Sequence, residues 1–289
     1  MTVQNVAVIG SGLMGRGIAQ VAALGGFRTT IVDVSESILQ TALTNIRSEM
    51  EKGVSLGKMT AEQKEQALSR LLLETNLEKA ARDADLVIEA VPEDMKLKIE
   101  TFVRLDNSAP AGALLASNTS SLSITEMAAV TKRPRQFLGM HFFNPVHKMK
   151  LLEIVRGLET APETVKIAEE VGRQMGKETV VIKESPGFIT SRINAMIGNE
   201  AFYMLQEEIA TAADIDKAVK LGLNHPMGPF EMADLVGLDT RLHVLEYLHQ
   251  TLGEKFRPAP LMVQYVKAGR LGRKVGRGVY DYPPPEKKA

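Results

Sequence analysis

The chain has 289 residues, 44% of them hydrophobic and 24% charged, which is enough to bury substantial cores and favours two domains over one. Its 35 basic residues balance its 35 acidic ones, which excludes a global electrostatic attraction to nucleic acid or to an anionic membrane. The absence of cysteine excludes disulfides, thiolate zinc sites and thiol nucleophiles. The composition is typical of a soluble globular protein.

The first ten residues, MTVQNVAVIG, run directly into a strand pattern without a charged leader or a long apolar region. No later stretch has the length and apolar character that a bilayer-spanning helix needs. We therefore predict a cytoplasmic protein.

Apolar runs rich in β-branched residues alternate with longer amphipathic stretches along the first two thirds of the chain. The runs predict strands at NVAVI (5–9), TTIVD (29–33), DLVIEAV (85–91), LLASN (114–118), FLGMHF (137–142), LLEIV (151–155) and TVVI (179–182). Helix-like crossovers between strands indicate a largely parallel sheet that is covered on both faces. After KESPGF the strand pattern stops, and residues 186–281 are predicted to form several helices.

A glycine pattern follows the first predicted strand. Gly10, Gly12 and Gly15 in GSGLMG form a GxGxxG motif, in which the glycines permit a tight turn, the approach of a pyrophosphate and close helix packing. Asp33 ends the second strand roughly 20 residues further on, where it can accept hydrogen bonds from a ribose. Its charge opposes a 2′-phosphate, so NAD is predicted rather than NADP. The predicted cofactor loop comprises Gly10, Ser11, Gly12, Leu13, Met14 and Gly15.

These patterns predict an α/β fold with two domains and a tail. The first is a Rossmann-like, mostly parallel sheet domain over residues 1–184 that binds NAD. The second is an all-α domain over residues 185–282, and residues 283–289 (PPPEKKA) are predicted to be disordered. The alternative for the glycine motif is a glycine-rich turn that binds nothing.

The segment HFFNPVHKMKLLE begins with His141 and ends with Glu153. Oxidation of a secondary alcohol needs a base for the hydroxyl proton, and the reverse reaction needs the same group as an acid. An imidazole beside a carboxylate suits both directions, because the carboxylate fixes the tautomer and stabilises the imidazolium. The segment between them could fold back and bring the two side chains together. On residue chemistry alone, a structural histidine and an unrelated charge remain an open alternative.

The chain resembles the 3-hydroxyacyl-CoA dehydrogenase family, and in particular its bacterial short-chain members. The resemblance runs from Val6 to Tyr282. It rests on GSGLMGRGIAQ, DLVIEAVPEDMKLK, ASNTSSLSIT, HFFNPVHKMKLLEIV, PGFITSRI, NHPMGPFEMADLVGLD and GRLGRKVGRGVYDY. It implies an NAD-dependent interconversion of an L-3-hydroxyacyl-CoA and a 3-oxoacyl-CoA with a short acyl chain, such as 3-hydroxybutyryl-CoA and acetoacetyl-CoA. It also implies a homodimer.

The resemblance assigns roles residue by residue. His141 and Glu153 fall on the family's catalytic pair, and Ser120 on a serine that hydrogen-bonds the reacting oxygen, with a helix N-cap as its alternative. Asn144 falls at the nicotinamide end of the site and near the substrate, with a turn before proline as its alternative. Further contacts to the dinucleotide are implied for Glu93, Lys98, Asn118, Ser120 and Lys274. Without the resemblance, Glu93, Lys98 and Lys274 would be interpreted as solvated charges.

One position departs from the family pattern. Many members have an asparagine before the arginine of the PGF segment, where this chain has Ser191 in GFITSR, predicted to contact substrate. For the adenine end of coenzyme A, candidates in the helical insertion are Ser48, Lys52 and Lys58. The cations Arg270, Arg273, Lys274 and Arg277 are either a phosphate site or a solvated basic turn.

The remaining expectations concern assembly, metal and alternative functions. The helical domain is predicted to close the substrate cleft and to carry a dimer interface. His147, His243 and His249 lack metal-ligand spacing and His225 is interpreted as structural, so no metal is predicted. The alternatives are a dehydrogenase of a 3-hydroxy acid without coenzyme A, and a non-catalytic dinucleotide-binding relative. Chain length, direction and pathway stay open.

Overall fold

The structure is a computed structural model that describes residues 2–283, so most of the tail predicted to be disordered lies outside the described residues. The described chain divides into two compact units, the first ending at Ser185 and the second beginning at Pro186. Among the described residues, no helix combines the length and the apolar composition that crossing a membrane requires.

The first unit is built on an eight-stranded sheet in the order β3-β2-β1-β4-β5-β6-β7-β8. Its strands are β1 (Asn5–Ile9), β2 (Arg28–Val32), β3 (Leu71–Glu74), β4 (Leu86–Glu89), β5 (Leu114–Ser117), β6 (Phe137–Phe142), β7 (Leu151–Arg156) and β8 (Glu178–Lys183). All neighbouring strands are parallel except the antiparallel pair β6 and β7. The central strands β4, β5 and β6 are buried along their whole length, which explains their continuous apolar sequences.

Seven α-helices cover this sheet. They are α1 (Leu13–Leu24), α2 (Glu36–Ser55), α3 (Ala61–Ser69), α4 (Leu77–Ala81), α5 (Met95–Ser108), α6 (Ile124–Ala129) and α7 (Pro162–Gln174). Five of them begin at a side chain that accepts a hydrogen bond from the first turn: Ser35, Thr60, Asn76, Asp94 and Ser123. The helix starts are therefore specified locally by capping residues.

Over its described residues, the second unit is built mainly from helices. Its α-helices are α8 (Thr190–Gln206), α9 (Ala212–Gly222), α10 (Pro229–Val236), α11 (Leu238–Leu252) and α12 (Pro260–Lys267). Two buried aspartates fasten the last described segment: Asp216 accepts from the hydroxyl of Tyr280 at 2.7 Å, and Asp234 accepts from the backbone N–H groups of Val279 and Tyr280 at 2.9 Å each. These bonds account for the GVYDY sequence near the end of the chain.

The predicted fold class, a mostly parallel Rossmann-like sheet domain followed by an all-α domain, is confirmed. The prediction missed β3. Its sequence LLLE directly follows the end of α3, and the strand lies at the sheet edge, where its residues are only partly buried or exposed. A short edge strand has neither the alternation nor the continuous burial by which a sequence pattern identifies strands.

Candidate active site

The glycine loop between β1 and α1 has the geometry of a phosphate-binding turn. Gly10 has φ +95°, and a Cβ there would lie 2.6 Å from the carbonyl oxygen of Ala90. A Cβ on Gly15 would lie 1.8 Å from the carbonyl oxygen of Gly10, so the helix approaches the turn closely. A Cβ on Gly12, at the N-cap of α1, would meet nothing within 4 Å. The open position is therefore the one where a pyrophosphate needs access, and the loop fits a dinucleotide.

Asp33 directly follows β2 and stabilises the glycine loop through hydrogen bonds. Its Oδ2 accepts from the backbone N–H and the hydroxyl of Ser11 at 2.7 Å each, while Oδ1 accepts from the N–H of Val34 at 2.8 Å. A carboxylate has about four lone-pair positions, so Oδ1 keeps capacity for a further donor such as a ribose hydroxyl. Asp33 thus links the cofactor loop to the end of the second strand.

His141 and Glu153 are directly opposite each other on the antiparallel strands β6 and β7. The Nδ1 atom of His141 lies 2.7 Å from Oε2 of Glu153, and both side chains are buried, with 7% and 1% of their area exposed. The ring of Phe143 packs against the imidazole with centroids 4.4 Å apart. The structure therefore brings together the two residues that the segment 141–153 contributes, through cross-strand register rather than through the intervening loop.

Asn118 directly follows β5 and accepts a hydrogen bond from the neighbouring strand β6. Its Oδ1 accepts from the backbone N–H of Phe142 at 2.9 Å, next to His141, and its own N–H donates to the carbonyl of Glu89 at 2.8 Å. The side-chain oxygen is engaged within the protein, which leaves the amide NH₂ as the donor toward a ligand.

Glu93 holds the loop that carries Ser120. One carboxylate oxygen accepts from the hydroxyl of Thr119 at 2.5 Å, from the N–H of Ser120 at 3.0 Å and from the Ser120 hydroxyl at 3.4 Å. The helix N-cap alternative for Ser120 is wrong, because Ser123 caps α6 by accepting from Glu126. The Ser120 hydroxyl therefore lies in the loop before the helix, paired with Glu93.

Beneath this loop is a buried charged network that sequence patterns did not indicate. Lys98 is 1% exposed, and its ammonium lies 2.6 Å from Glu89 and 3.3 Å from Glu93. Glu89, fully buried, also accepts from the N–H of Val91 at 2.7 Å and from the hydroxyl of Ser117 at 2.6 Å. Burial raises the pKa of Glu89, and the Lys98 ammonium acts in the opposite direction. The interpretation of Lys98 as a solvated charge is wrong.

The other predicted site residues lie further out. Ser48 and Lys52 are exposed on α2, four residues apart and so on one face, with Lys52 paired to Glu49 at 3.1 Å. Asn144 is exposed just after β6. Ser191 lies in the first turn of α8 in the second unit and is partly buried.

The cations near the end of the chain are engaged inside the second unit. Lys274 lies 2.6 Å from Asp239, and Arg277 lies 3.2 Å from Asp281. Arg270 stacks over the ring of Tyr265 and donates to the carbonyl of Gly278 at 2.7 Å. These contacts give the basic run a structural role, and the contact of Lys274 with the dinucleotide stays a prediction.

Across residues 2–283, no three histidine, aspartate or glutamate side chains are grouped so that they could hold a metal ion. The predicted site residues of the first unit lie at or just after the carboxyl ends of strands. The glycine loop follows β1 and Asp33 follows β2. Glu93 and Asn118 follow β4 and β5, and His141 lies near the end of β6. In open α/β sheets, ligands bind at this carboxyl edge of the strands.

Comparison with known proteins agrees with this arrangement. The family profile "3-hydroxyacyl-CoA dehydrogenase, NAD binding domain" matches residues 5–185, and the C-terminal domain profile of the same family matches residues 187–282. A probable 3-hydroxybutyryl-CoA dehydrogenase of Bacillus subtilis is 45% identical over 98% of this chain and 98% of its own. A 3-hydroxyadipyl-CoA dehydrogenase of Escherichia coli is 42% identical over 98% of this chain and 60% of its own.

Among solved structures, the (S)-3-hydroxybutyryl-CoA dehydrogenase of Ralstonia eutropha superposes with a TM-score of 0.95 at 42% identity. That match covers 98% of this chain and 100% of the other. The two family profiles, the nearly full-length sequence matches and the shared fold all indicate the same family. The chain therefore belongs to the 3-hydroxyacyl-CoA dehydrogenase family and is an NAD-dependent oxidoreductase.

Proposed function

We propose that the chain interconverts short-chain L-3-hydroxyacyl-CoA and 3-oxoacyl-CoA, with His141 as the proton-transfer residue and Glu153 as its partner. The observation that carries this proposal is the buried contact of 2.7 Å between His141 and Glu153 at the edge of the sheet where the glycine loop lies. A buried imidazole that faces a buried carboxylate is well suited to acid–base catalysis at a secondary alcohol in both directions.

The proton transfer follows from the orientation of the ring. Because Nδ1 of His141 faces the Glu153 carboxylate, the neutral ring carries its hydrogen on Nδ1 and its acceptor lone pair on Nε2. In the oxidation, Nε2 accepts the hydroxyl proton of the substrate, and Glu153 stabilises the resulting imidazolium. In the reduction, the imidazolium returns that proton to the carbonyl oxygen. Bound NAD supplies the hydride acceptor or donor.

The other residues orient the substrate and the cofactor. Ser120 donates to Glu93 at 3.4 Å, a long bond that substrate oxygen can replace at small cost. In this proposal Ser120 and Asn144 contact the reacting end of the substrate. The contacts to the cofactor are made by the glycine loop, Asp33, Glu93, Lys98, Asn118 and Lys274.

The cofactor preference can be tested at Asp33. The unmodified enzyme should prefer NADH to NADPH, because the Asp33 carboxylate repels a 2′-phosphate. Asp33→Ser should narrow that preference by a factor on the order of 10 to 100, the effect of relieving a like-charge contact. Asp33→Asn is the matched control for loop geometry, since its amide oxygen can still accept from Ser11. The measurement is kcat/KM for NADH and for NADPH from steady-state kinetics. Equal values for the two cofactors in the unmodified enzyme would contradict the role of Asp33 in cofactor preference.

Ser191 tests the departure from the family pattern. A serine hydroxyl is compact and leaves room for a bridging water, whereas asparagine has a longer arm with a donor and an acceptor. Ser191→Asn should change kcat/KM less than about tenfold, which corresponds to roughly 1.4 kcal/mol. Ser191→Ala should cost more, because a buried acceptor on the substrate would lose its donor. If alanine behaves like serine while asparagine abolishes activity, Ser191 is a small spacer and makes no hydrogen bond to substrate.

The role of coenzyme A separates the proposal from its alternatives. NADH oxidation should be efficient with acetoacetyl-CoA and weak with free acetoacetate. The reverse order of efficiency would identify a dehydrogenase of a free 3-hydroxy acid. NADH binding without turnover of either substrate would identify a non-catalytic relative. In the proposal, Ser48 and Lys52 on the exposed face of α2 contact the adenine end of coenzyme A.

We also propose a homodimer formed through the second unit, where several large apolar side chains are exposed. They are Ile189, Ile193, Ile209, Leu221, Leu223, Leu235 and Val236. Exposed apolar area of this kind favours association with a second copy. Light scattering that finds a stable monomer at low protein concentration would remove this proposal. Two further statements stay predictions. The first is that the first unit binds NAD while the helical unit binds substrate, and the second is the cytoplasmic location.

A further inference from the structure

Lys177 is a buried lysine whose hydrogen-bond partners are neutral. It directly precedes β8, and 6% of its area is exposed. Its Nζ atom donates to the backbone carbonyl of Met149 at 2.9 Å and to that of Val146. Burial lowers the pKa of Lys177, and no carboxylate in the described part of the chain offsets this effect. Buried lysines are ordinarily paired with an acidic group, so the place of this one has an explanation other than an ion pair.

The two carbonyls belong to the loop that joins β6 to β7, residues 143–150. This β6–β7 loop begins two residues after His141 and carries Asn144. Val146 is the one buried residue from 144 to 150. A loop with a single buried side chain has little apolar contact to fix it, so the bonds from Lys177 are a large part of what holds it in place.

Val146 also joins this loop to the helix of the glycine motif. Gly17 lies in α1, two residues after Gly15, and a Cβ on it would lie 2.8 Å from Cγ2 of Val146. The valine side chain therefore occupies the space that the missing Cβ leaves on the helix. Val146 is fixed from two sides, with its side chain against α1 and its carbonyl on the Lys177 ammonium.

A further side-chain contact of the loop, to α2, is weaker. Nε2 of His147 lies 3.7 Å from Oε2 of Glu49, and both side chains are partly exposed. A partly exposed pair at this distance contributes little, because solvent screens it. Lys177 and Val146 therefore provide most of the attachment of the loop.

We propose that Lys177 is a positioning residue for the reaction, which through Val146 fixes the β6–β7 loop so that Asn144 meets the reacting end of the substrate. Only Pro145 separates Asn144 from Val146, and its ring restricts the backbone between them. A shift of Val146 therefore carries Asn144 with it, and a displacement of about 1 Å at a reacting group lowers turnover on the order of 10²-fold. This inference rests on the proposed function, because the contact of Asn144 with substrate belongs to it.

Lys177→Met removes the ammonium and keeps an apolar side chain of similar length. It should lower kcat for acetoacetyl-CoA reduction by a factor on the order of 10 to 10², counted per NADH-binding site so that unfolded protein is excluded. The dissociation constant for NADH, from fluorescence titration, should stay within about threefold, because the glycine loop and its bonds to Asp33 are unchanged. Near-normal turnover per site would overturn the inference.

A double-mutant cycle with Asn144→Ala separates positioning from a general effect on the scaffold. Asn144→Ala alone should lower kcat, since it removes the contact with substrate. Adding Lys177→Met to it should change kcat by less than about threefold, because the side chain that Lys177 positions is then absent. Losses that multiply in the double variant, or full activity of Asn144→Ala, would overturn the inference. Activity of the unmodified enzyme with acetoacetyl-CoA tests the proposed function separately.

Thr164→Val is the matched control for stability. Thr164 lies in α7, is buried and donates to the carbonyl of Arg135 at 2.8 Å. Arg135 precedes β6, so this bond lies at the opposite end of that strand from the β6–β7 loop. Like Lys177→Met, the control removes a side-chain donor from a backbone carbonyl, so both variants should lower the thermal midpoint. The control should leave kcat unchanged, and a loss of turnover equal to that of Lys177→Met would overturn the inference.

Val146→Ala applies the same cycle if Lys177→Met does not fold. It keeps the carbonyl that accepts from Lys177 and removes the side chain that meets Gly17. It should lower kcat about tenfold by itself and less than about threefold in the Asn144→Ala background. Normal turnover of Val146→Ala, or losses that multiply with Asn144→Ala, would show that the loop does not act through Val146 and would overturn the inference.

Discussion

Replacement of His141 by glutamine should lower kcat for acetoacetyl-CoA reduction by a factor on the order of 10² to 10⁴, the usual contribution of a positioned acid or base. Glutamine fills much of the same space and keeps hydrogen-bonding groups, but it cannot exchange a proton near neutral pH. The dissociation constant for NADH should change little, because His141 lies on β6 and the glycine loop follows β1. Steady-state kinetics and fluorescence titration of NADH measure the two effects separately.

Glu153→Gln should cause a comparable loss, because the imidazolium that forms during turnover would have a neutral amide beside it. His249→Gln is the matched control. His249 also contacts a glutamate, Glu254, at 3.1 Å, but its pair lies at the surface of the second unit. The control should keep near-normal turnover. If His141→Gln or Glu153→Gln also kept it, His141 would be a structural histidine and the proton-transfer assignment would be wrong.

The parts of the fold that the sequence predicts are those encoded locally. The β1 strand, the glycine motif and the start of α1 occupy consecutive residues, and Gly10 and Gly15 each meet a steric requirement that the structure shows directly. Strands β4, β5 and β6 are recognisable because burial on both faces makes them continuously apolar. These features do not depend on distant partners, so patterns in a single sequence are sufficient to identify them.

The approach of His141 to Glu153 depends on strand register. The two residues are 12 positions apart, and the antiparallel pairing of β6 with β7 sets them opposite each other. A sequence pattern suggests that the connection folds back, but a slip of one residue would turn one side chain to the other face of the sheet. Residue types and spacing alone therefore left the pair as one of two alternatives, and the family resemblance favoured it.

Two buried charges escaped the sequence patterns for a related reason. Glu89 is the last residue of β4 and lies in an apolar run, and Arg241 is buried on α11, where the buried neighbours on the same side of the helix are Leu238, Leu242 and Leu245. A charged residue in an apolar run is evident in the sequence, but whether it is paired depends on distant residues. Lys98, nine positions after Glu89, pairs with it through the return of α5 onto the sheet. Arg241 depends on Asn194, which lies on another helix.

The Glu89 network couples the core of the first unit to the site. Lys98 lies between the fully buried Glu89 and the partly exposed Glu93, and Glu93 holds the hydroxyl and backbone groups of Thr119 and Ser120. Ser117 adds a further bond from the end of β5 to Glu89. The loop that presents Ser120 is therefore fixed through two carboxylates and one ammonium group, and the geometry of this loop depends on charges that lie below it.

Glu89→Gln should lower the free energy of unfolding by about 3–5 kcal/mol, the cost of removing one member of a buried ion pair. The amide has one acceptor atom for the three donors that the carboxylate serves. Lys98 keeps its charge in a buried position, where the longer contact to Glu93 is its remaining ion pair and the carbonyl of Val91, 3.3 Å away, is a neutral acceptor. Urea unfolding followed by circular dichroism measures the loss. Glu78→Gln, which breaks the exposed pair with Arg104, is the control and should cost below about 1 kcal/mol.

Glu89→Gln combined with Lys98→Met separates the charge from the shape of the network. The double variant removes both ionic groups, so its stability should recover by most of the loss seen in Glu89→Gln. Activity should not recover with it, because Glu93 would lack the ammonium that orients it against Thr119 and Ser120. A Glu89→Gln variant as stable as the unmodified protein would mean that the contact with Glu93 is enough to compensate the buried charge of Lys98. A double variant with normal activity would mean that the buried pair contributes to stability alone and that the Ser120 loop keeps its conformation without it.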